Sequence, residues 1–173
     1  MSSTKNLARI ALGAAALTLC AWISIPTPVP FTMQTMAVVT VAALLGPKLG
    51  CASVGVYLLL GTVGVPVFSG FRGGFQVLLG ATGGYLTGFL FCAWLTGWTA
   101  QRFHSTLLLG TGMIAGLAFC YAFGTLWYAL LYTGGGIGTI LLTCVVPFLL
   151  PDVIKLFLSL LLVRRVQKSD IFK

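Results

Sequence analysis

A chain of 173 residues with 58% hydrophobic and only 7% charged residues, at a mean hydropathy of +1.06, lacks the polar side chains that cover a water-facing surface, which excludes a soluble protein. At about 20 apolar residues per spanning helix the length allows about five to seven short spans and no soluble catalytic domain beside them. Ten Lys and Arg stand against two acids, Asp152 and Asp170, with no Glu and one His, His104, so an intramembrane metalloprotease, a carboxylate-dependent lipid transferase and a proton pump all lack the groups they need.

In chain order, the basic start (Lys5, Arg9) leads into an apolar segment, 7–25, which is read as an uncleaved first span because the Pro-rich stretch after it is a poor cleavage site. Five more apolar segments follow at 31–45, 51–63, 78–100, 107–131 and 139–163, the second and third short for full spans. Linkers at 26–30, 46–50, 64–75, 101–106 and 133–138 carry the Gly, Pro and charged punctuation. None is long enough for an independent unit, so residues 1–173 read as one domain. The fold class is an all-α integral membrane protein, a compact bundle of six transmembrane helices.

Charge orients that bundle, since cytoplasmic loops are enriched in Lys and Arg. Six spans with both termini cytoplasmic put Lys5, Arg9, Lys48, Arg102, Arg164, Arg165, Lys168 and Lys173 on one side. Five or seven spans would split the basic termini between two faces. The net charge of +8 therefore reads as topology and not as a nucleic-acid surface, because the basic residues are scattered singly between apolar segments. The helix-breaking clusters Pro26/Pro28/Pro30, Gly64/Pro66/Gly70/Gly73/Gly74, Gly134/Gly135/Gly136 and Pro147/Pro151 all fall toward the opposite, outer face. Irregular backbone at membrane depth survives where protein buries it or where it lines a cavity, and an outward-facing pocket is expected.

Two ionisable residues lie inside the last span. Asp152 and Lys155 stand three apart and share a helix face, and Asp152 is twelve residues from Arg164, roughly 18 Å above the cytoplasmic interface. Such residues cost at least about 2.5–3.5 kcal/mol each at the helix centre, which makes function the default reading; a neutralised pair that fixes packing is the bland alternative. Pro151 suits a helix that restarts there and turns free N–H groups to the pocket. Asp accepts from N–H donors and the Lys ammonium donates to a carbonyl, a pairing suited to a cyclic urea or amide. Arg72, in Ser69-Gly-Phe-Arg-Gly-Gly-Phe-Gln76, is the other cation outside the cytoplasmic set, and its fork suits a carboxylate, with a headgroup-level loop residue as the alternative.

Aromatic residues supply the apolar walls of a small-molecule pocket: Phe68, Phe71 and Phe75 flank Arg72, and Tyr85 follows Gly83-Gly84. Trp127, Tyr128 and Tyr132 read as an interfacial belt. Ala11 and Ala15 in the first span, with Ala8, Gly13, Ala14 and Ala16 nearby, let another helix approach closely, inside the bundle or on a partner. Cys20, Cys51, Cys92, Cys120 and Cys144 are odd in number, show no C-x-x-C spacing and sit in apolar stretches, so they read as core thiols with no disulfide and no metal. No cofactor is indicated, and the Gly-rich turns lack the Lys-Ser/Thr of a phosphate loop.

Three blocks carry a resemblance over nearly the whole chain: Pro28-Val-Pro-Phe-Thr-Met-Gln-Thr35; Leu44-Leu-Gly-Pro-Lys-Leu-Gly50; and Gly64-Val-Pro-Val-Phe-Ser-Gly70 running into Gly80-Ala-Thr-Gly-Gly-Tyr85. With Pro151-Asp152-x-x-Lys155 they resemble the BioY biotin-specific substrate-binding (S) components of energy-coupling-factor (ECF) transporters. The resemblance implies a six-helix cell-membrane protein that binds biotin from outside and works with a transmembrane T component and two cytoplasmic ATPase subunits. It implies Asp152 and Lys155 as ligands of the fused-ring headgroup, a closing loop around Phe71, Arg72 and Gln76, pocket positions at Thr82 and Tyr85, and Ala11-x-x-x-Ala15 as the surface that meets the T component. Ala81 departs from the Pro that the family commonly has before Thr-Gly-Gly. The alternatives are a stand-alone small-molecule facilitator, an S component for another small vitamin, an intramembrane enzyme and a purely structural subunit.

Overall fold

The computed structural model describes residues 3–27, 29–103, 105–131 and 136–169. Pro28, His104, Tyr132, Gly134, Gly135, Asp170 and Lys173, all given a reading above, lie outside the described residues.

Helix α1 (Ser3–Trp22) turns at a two-residue antiparallel ladder, β1 (Ser24–Ile25) with β2 (Phe31–Thr32), in register Ser24 to Thr32 and Ile25 to Phe31. This ladder was not expected from the Pro-rich linker. It satisfies backbone groups that lipid cannot, and Met33 N–H extends it by donating to the Ile23 carbonyl at 3.2 Å.

Helix α2 (Gln34–Thr62) is continuous by hydrogen bonding but broken at Gly46, with φ 81° and ψ 176°. The chain doubles back there. Gln34 Nε2 reaches Tyr57 Oη at 2.6 Å, whereas 23 residues of straight helix would put them roughly 34 Å apart. Only glycine takes that φ without strain, and Pro47 starts the second arm where a missing N–H is harmless. The arms meet closely, since a Cβ on Gly50 would stand 2.9 Å from Ala42 Cα.

A short α3 (Phe75–Leu79) precedes α4 (Gly83–Arg102), and α5 (Thr106–Leu131) follows. The α4–α5 crossing is built on small residues: a Cβ on Gly88 would meet Cys120 Cα at 3.2 Å, one on Gly116 would meet Cys92 Cα at 3.2 Å, and one on Gly84 would meet Gly124 Cα at 3.1 Å. Without a hydrophobic driving force in lipid, such close van der Waals packing holds helices together, and buried Cys92 and Cys120 fill the space opposite the glycines.

The last apolar segment divides into α6 (Ile137–Cys144) and α7 (Val146–Lys168), with Val145 at φ −125° and ψ −56° between them. This corrects the expected restart at Pro151. Pro147 occupies the first turn of α7 and Pro151 lies within the helix, so Asp152 sits more than a turn inside α7 and faces no free helix N-terminus. Pro151 cannot donate to the Pro147 carbonyl, the usual cost of an internal proline.

Among the described residues, three stretches are long and apolar enough to cross a bilayer by length and composition: Gln34–Thr62, Thr106–Leu131 and Gly138–Lys168. Taking the two arms of α2 separately and α6 with α7 as one broken pass, the six-helix count fits the structure. The core centres on α2, which packs on α1, α4 and α7, while α4 packs on α5. Outward faces carry exposed Leu12, Leu59, Leu107, Ile114, Leu130, Leu150, Val153 and Phe157, the apolar exterior of a membrane protein.

Candidate functional site

The β1–β2 ladder, α2, α4, α5 and α7 converge on one cavity, concave and largely apolar as small-molecule sites are. Its walls are mostly apolar or aromatic, with Phe68, Tyr85, Leu86, Phe89, Leu117 and Phe148, and its polar groups gather where α7 faces β2 and the start of α2.

Asp152 and Lys155 form that polar end. They are 3% and 4% exposed, and Lys155 Nζ donates to Asp152 Oδ1 at 2.6 Å. A buried pair needs further hydrogen bonds to its remaining valences, and here most of them are met. Lys155 Nζ also donates to the Thr32 carbonyl at 2.7 Å and to Thr35 Oγ1 at 3.4 Å, and lies 4.0 Å from the centroid of the Phe31 ring. Thr35 Oγ1 donates to Asp152 Oδ1 at 3.2 Å, and the Tyr121 hydroxyl donates to Asp152 Oδ2. One carboxylate oxygen thus faces two donors and the other faces one.

A second layer carries this end outward. Thr32 Oγ1 donates to Gln34 Oε1 at 2.9 Å, and Gln34 Nε2 donates to Tyr57 Oη. The Tyr57 ring meets Phe68 edge-on at 5.5 Å between centroids. Phe68 is buried because Gly61 leaves room: a Cβ there would stand 2.0 Å from Phe68 Cζ. Its amide donates to the Arg72 carbonyl at 2.9 Å, so Phe68 anchors the Arg72 loop onto α2.

Of the residues expected at the site, the structure brings Asp152, Lys155, Thr82 and Tyr85 to the main cavity. Arg72 and Gln76 line an adjoining depression that shares Val77 and Thr82 with it. Arg72 uses Nε on the Ser69 carbonyl at 3.1 Å and is otherwise exposed. Phe71 lines neither space; it stacks on Trp22 at 4.9 Å, with φ 56°. Ala11 and Ala15 are exposed on α1, while Gly13, Ala14 and Leu17 face the bundle. Internal packing therefore does not account for the Ala11–Ala15 spacing.

Trp127 and Tyr128, expected in an interfacial belt, each also make contacts within the protein. Trp127 Nε1 donates to the Gly80 carbonyl at 3.0 Å and holds the turn before α4, and Tyr128 packs against the cluster of Val29, Ile140, Cys144 and Phe148. Sequence reasoning also missed Thr32, Thr35, Gln34 and Tyr121 as site residues. The first three lie in the Pro28–Thr35 block, whose polar residues in an apolar context were the available signal. Tyr121 had none.

Fold and cavity together define a membrane-embedded protein with a cavity between a buried ion pair and aromatic walls. The comparisons with known proteins narrow this. A family model described as the BioY family matches residues 1–170, and the chain belongs to that family. It is 39% identical over 168 residues to the biotin transporter BioY of Thermotoga maritima, covering 96% of this chain and 98% of that one. It is 34% identical over 170 residues to the probable biotin transporter BioY of Pyrococcus horikoshii, covering 94% and 96%. A crystal structure described as the S-component for biotin from an ECF-type ABC transporter superposes with a TM-score of 0.88 at 30% identity, covering 97% of this chain and 95% of that one. These relatives are transporters, not enzymes.

Proposed function

We propose that this chain is the biotin-capturing subunit of an ECF-type uptake system: it takes biotin from the outer side of the cell membrane and delivers it inward with energising partners. The observation that carries the reading is the buried Asp152–Lys155 pair in the wall of an aromatic cavity. A ureido ring offers two N–H donors and one carbonyl. Asp152 Oδ2, which faces a single donor, takes an N–H, while Lys155 turns to the ureido oxygen by giving up its longest contact, the 3.4 Å one to Thr35. Phe148, Tyr85 and Phe89 hold the bicycle and aliphatic tail. The carboxylate extends past Thr82 toward Gln76 and Arg72 in the adjoining depression, whose guanidinium supplies a charge-assisted contact.

Residues 1–173 act as a single six-helix domain, with both termini cytoplasmic by the distribution of Lys and Arg. The partners are a T component and two cytoplasmic ATPase subunits, in line with the ECF-type assembly named for the structural relative. The outward exposure of Ala11 and Ala15 supports that α1 surface as the face meeting the T component, because small residues let a second helix approach.

Mass spectrometry of ligand retained through purification, followed by titration with biotin, tests the reading. Unmodified biotin and saturable binding are expected. Retention of a different vitamin would overturn the substrate. Biotin flux into liposomes that hold this chain alone would favour the stand-alone facilitator over a subunit needing partners.

A further inference from the structure

We infer that Tyr121 is a positioning and specificity-determining residue for the ureido ring: its hydroxyl aims Asp152 Oδ2 at one ligand N–H. The inference rests on the biotin reading above and deepens it. Asp152 Oδ1 is committed to Lys155 Nζ of α7 at 2.6 Å and to Thr35 Oγ1 of α2 at 3.2 Å. Each carboxylate oxygen has room for about two hydrogen bonds, so the capacity left for a ligand lies on Oδ2. Among the described residues that oxygen accepts from one donor, the Tyr121 hydroxyl of α5.

The arrangement fixes the carboxylate plane from both sides. Lys155 and Thr35 hold Oδ1 from α7 and α2, and Tyr121 holds Oδ2 from α5, so the carboxylate cannot rotate about its χ2 torsion without losing bonds made while 3% exposed. That torsion is otherwise broad. With Oδ2 fixed, its second lone pair is presented at a set angle to the ring that enters the cavity. The Tyr121 ring also belongs to two surfaces: it lines the main cavity and an apolar groove between α5 and α6 with Leu126, Ile140 and Val145. It forms the partition between them, so its backbone position is set by packing while its hydroxyl is reserved for Asp152.

The test is a binding cycle on the purified, reconstituted protein, with biotin and desthiobiotin as probes, measured up to millimolar ligand alongside thermal melting. Desthiobiotin keeps both ureido N–H groups and lacks the thioether. Tyr121→Phe keeps the ring and partition and removes the hydroxyl. It is expected to weaken both ligands by the same factor, about ten- to hundredfold, the range for a hydrogen bond to a charged group. In an Asp152→Asn background the same substitution is expected to cost less than about twofold, because the group it aims is altered. Unchanged or tighter binding in Tyr121→Phe would overturn the inference, as would a full, additive loss in the Asp152→Asn background. A loss confined to biotin would place Tyr121 against the sulfur ring and overturn it too. A wild-type chain that binds neither probe would instead remove the biotin reading itself, and this inference with it.

Discussion

At the Asp152 end of the site every charged atom has a partner drawn from a helix or from the β1–β2 ladder, and the pair is almost fully buried. At the Arg72 end the guanidinium makes one backbone contact and is exposed, and the loop around it takes positive φ at Gly64, Gly70, Phe71 and Gly74. The ion pair stands in a low-dielectric setting where an unmet charge is costly and geometry must be set in advance. The loop stands near water, where charge is screened and backbone can rearrange. The closed end is suited to recognising a neutral, directional ring, and the open end to gathering a charged tail. Substitutions that act unequally on the two ends break or sharpen that contrast.

The largest effect is expected from splitting the pair. Asp152→Ala or Lys155→Ala leaves one charge buried and unmet, at a cost of about 3–5 kcal/mol in stability, and lowers biotin affinity at least about a hundredfold. Replacing both, Asp152→Leu with Lys155→Met, is expected to recover most of the melting temperature while binding stays lost, since an apolar substitute for a buried pair is often neutral for stability. Wild-type affinity in both single variants would remove the pair from the site. A double variant that regains binding would reduce the pair to a packing device.

Gly61→Ala strikes the joint between the ends. Its Cβ would overlap the Phe68 ring, which must move out of the space beside Tyr57 and take the amide that holds the Arg72 carbonyl with it. A destabilisation of about 1–3 kcal/mol is expected from overpacking, with faster biotin dissociation. Unaltered melting and dissociation would mean that the loop is not anchored through Phe68.

These residues also mark how far sequence reasoning reached. The acid and base in the last span were legible because charge in hydrocarbon is costly and i, i+3 spacing fixes a shared face whatever the packing. The α2 hairpin was legible at Gly46-Pro47, since glycine takes backbone angles closed to other residues and proline disrupts a helix that runs through its own position. The Thr32 carbonyl that receives Lys155 was not, because every residue carries a carbonyl and only the β1–β2 ladder brings this one to α7. Tyr121 sits in a helix that is apolar around its circumference, where no pattern separates a site tyrosine from a packing one. The helix start was misplaced by four residues or so because two prolines compete for it: Pro147 takes the first turn, and Pro151 is tolerated inside.

Arg72→Gln is expected to act more weakly. An exposed charge contributes little to affinity, so the loss for biotin should be roughly two- to fivefold at low salt and should fade as ionic strength rises. Biotinamide, with no carboxylate, should bind the variant as it binds the wild type. Equal loss for acid and amide would show that Arg72 shapes the loop and does not read the tail.

Phe71 gives the smallest expected effect and the sharpest test of how the open end works. Its φ of 56° costs a non-glycine residue about 1–2 kcal/mol, and its stacking on Trp22 returns about 0.5–1.5 kcal/mol. Trp22 is itself tied to the loop through Nε1 and the Pro66 carbonyl at 2.9 Å. Phe71→Gly relieves the first and forfeits the second, so stability should change by less than about 1 kcal/mol. Because the ring lies 63% exposed and outside both cavities, biotin affinity should stay within about twofold in a direct titration. A tenfold loss would mean that the loop swings the ring onto captured biotin, making Phe71 part of the site by movement and the open end a closing one.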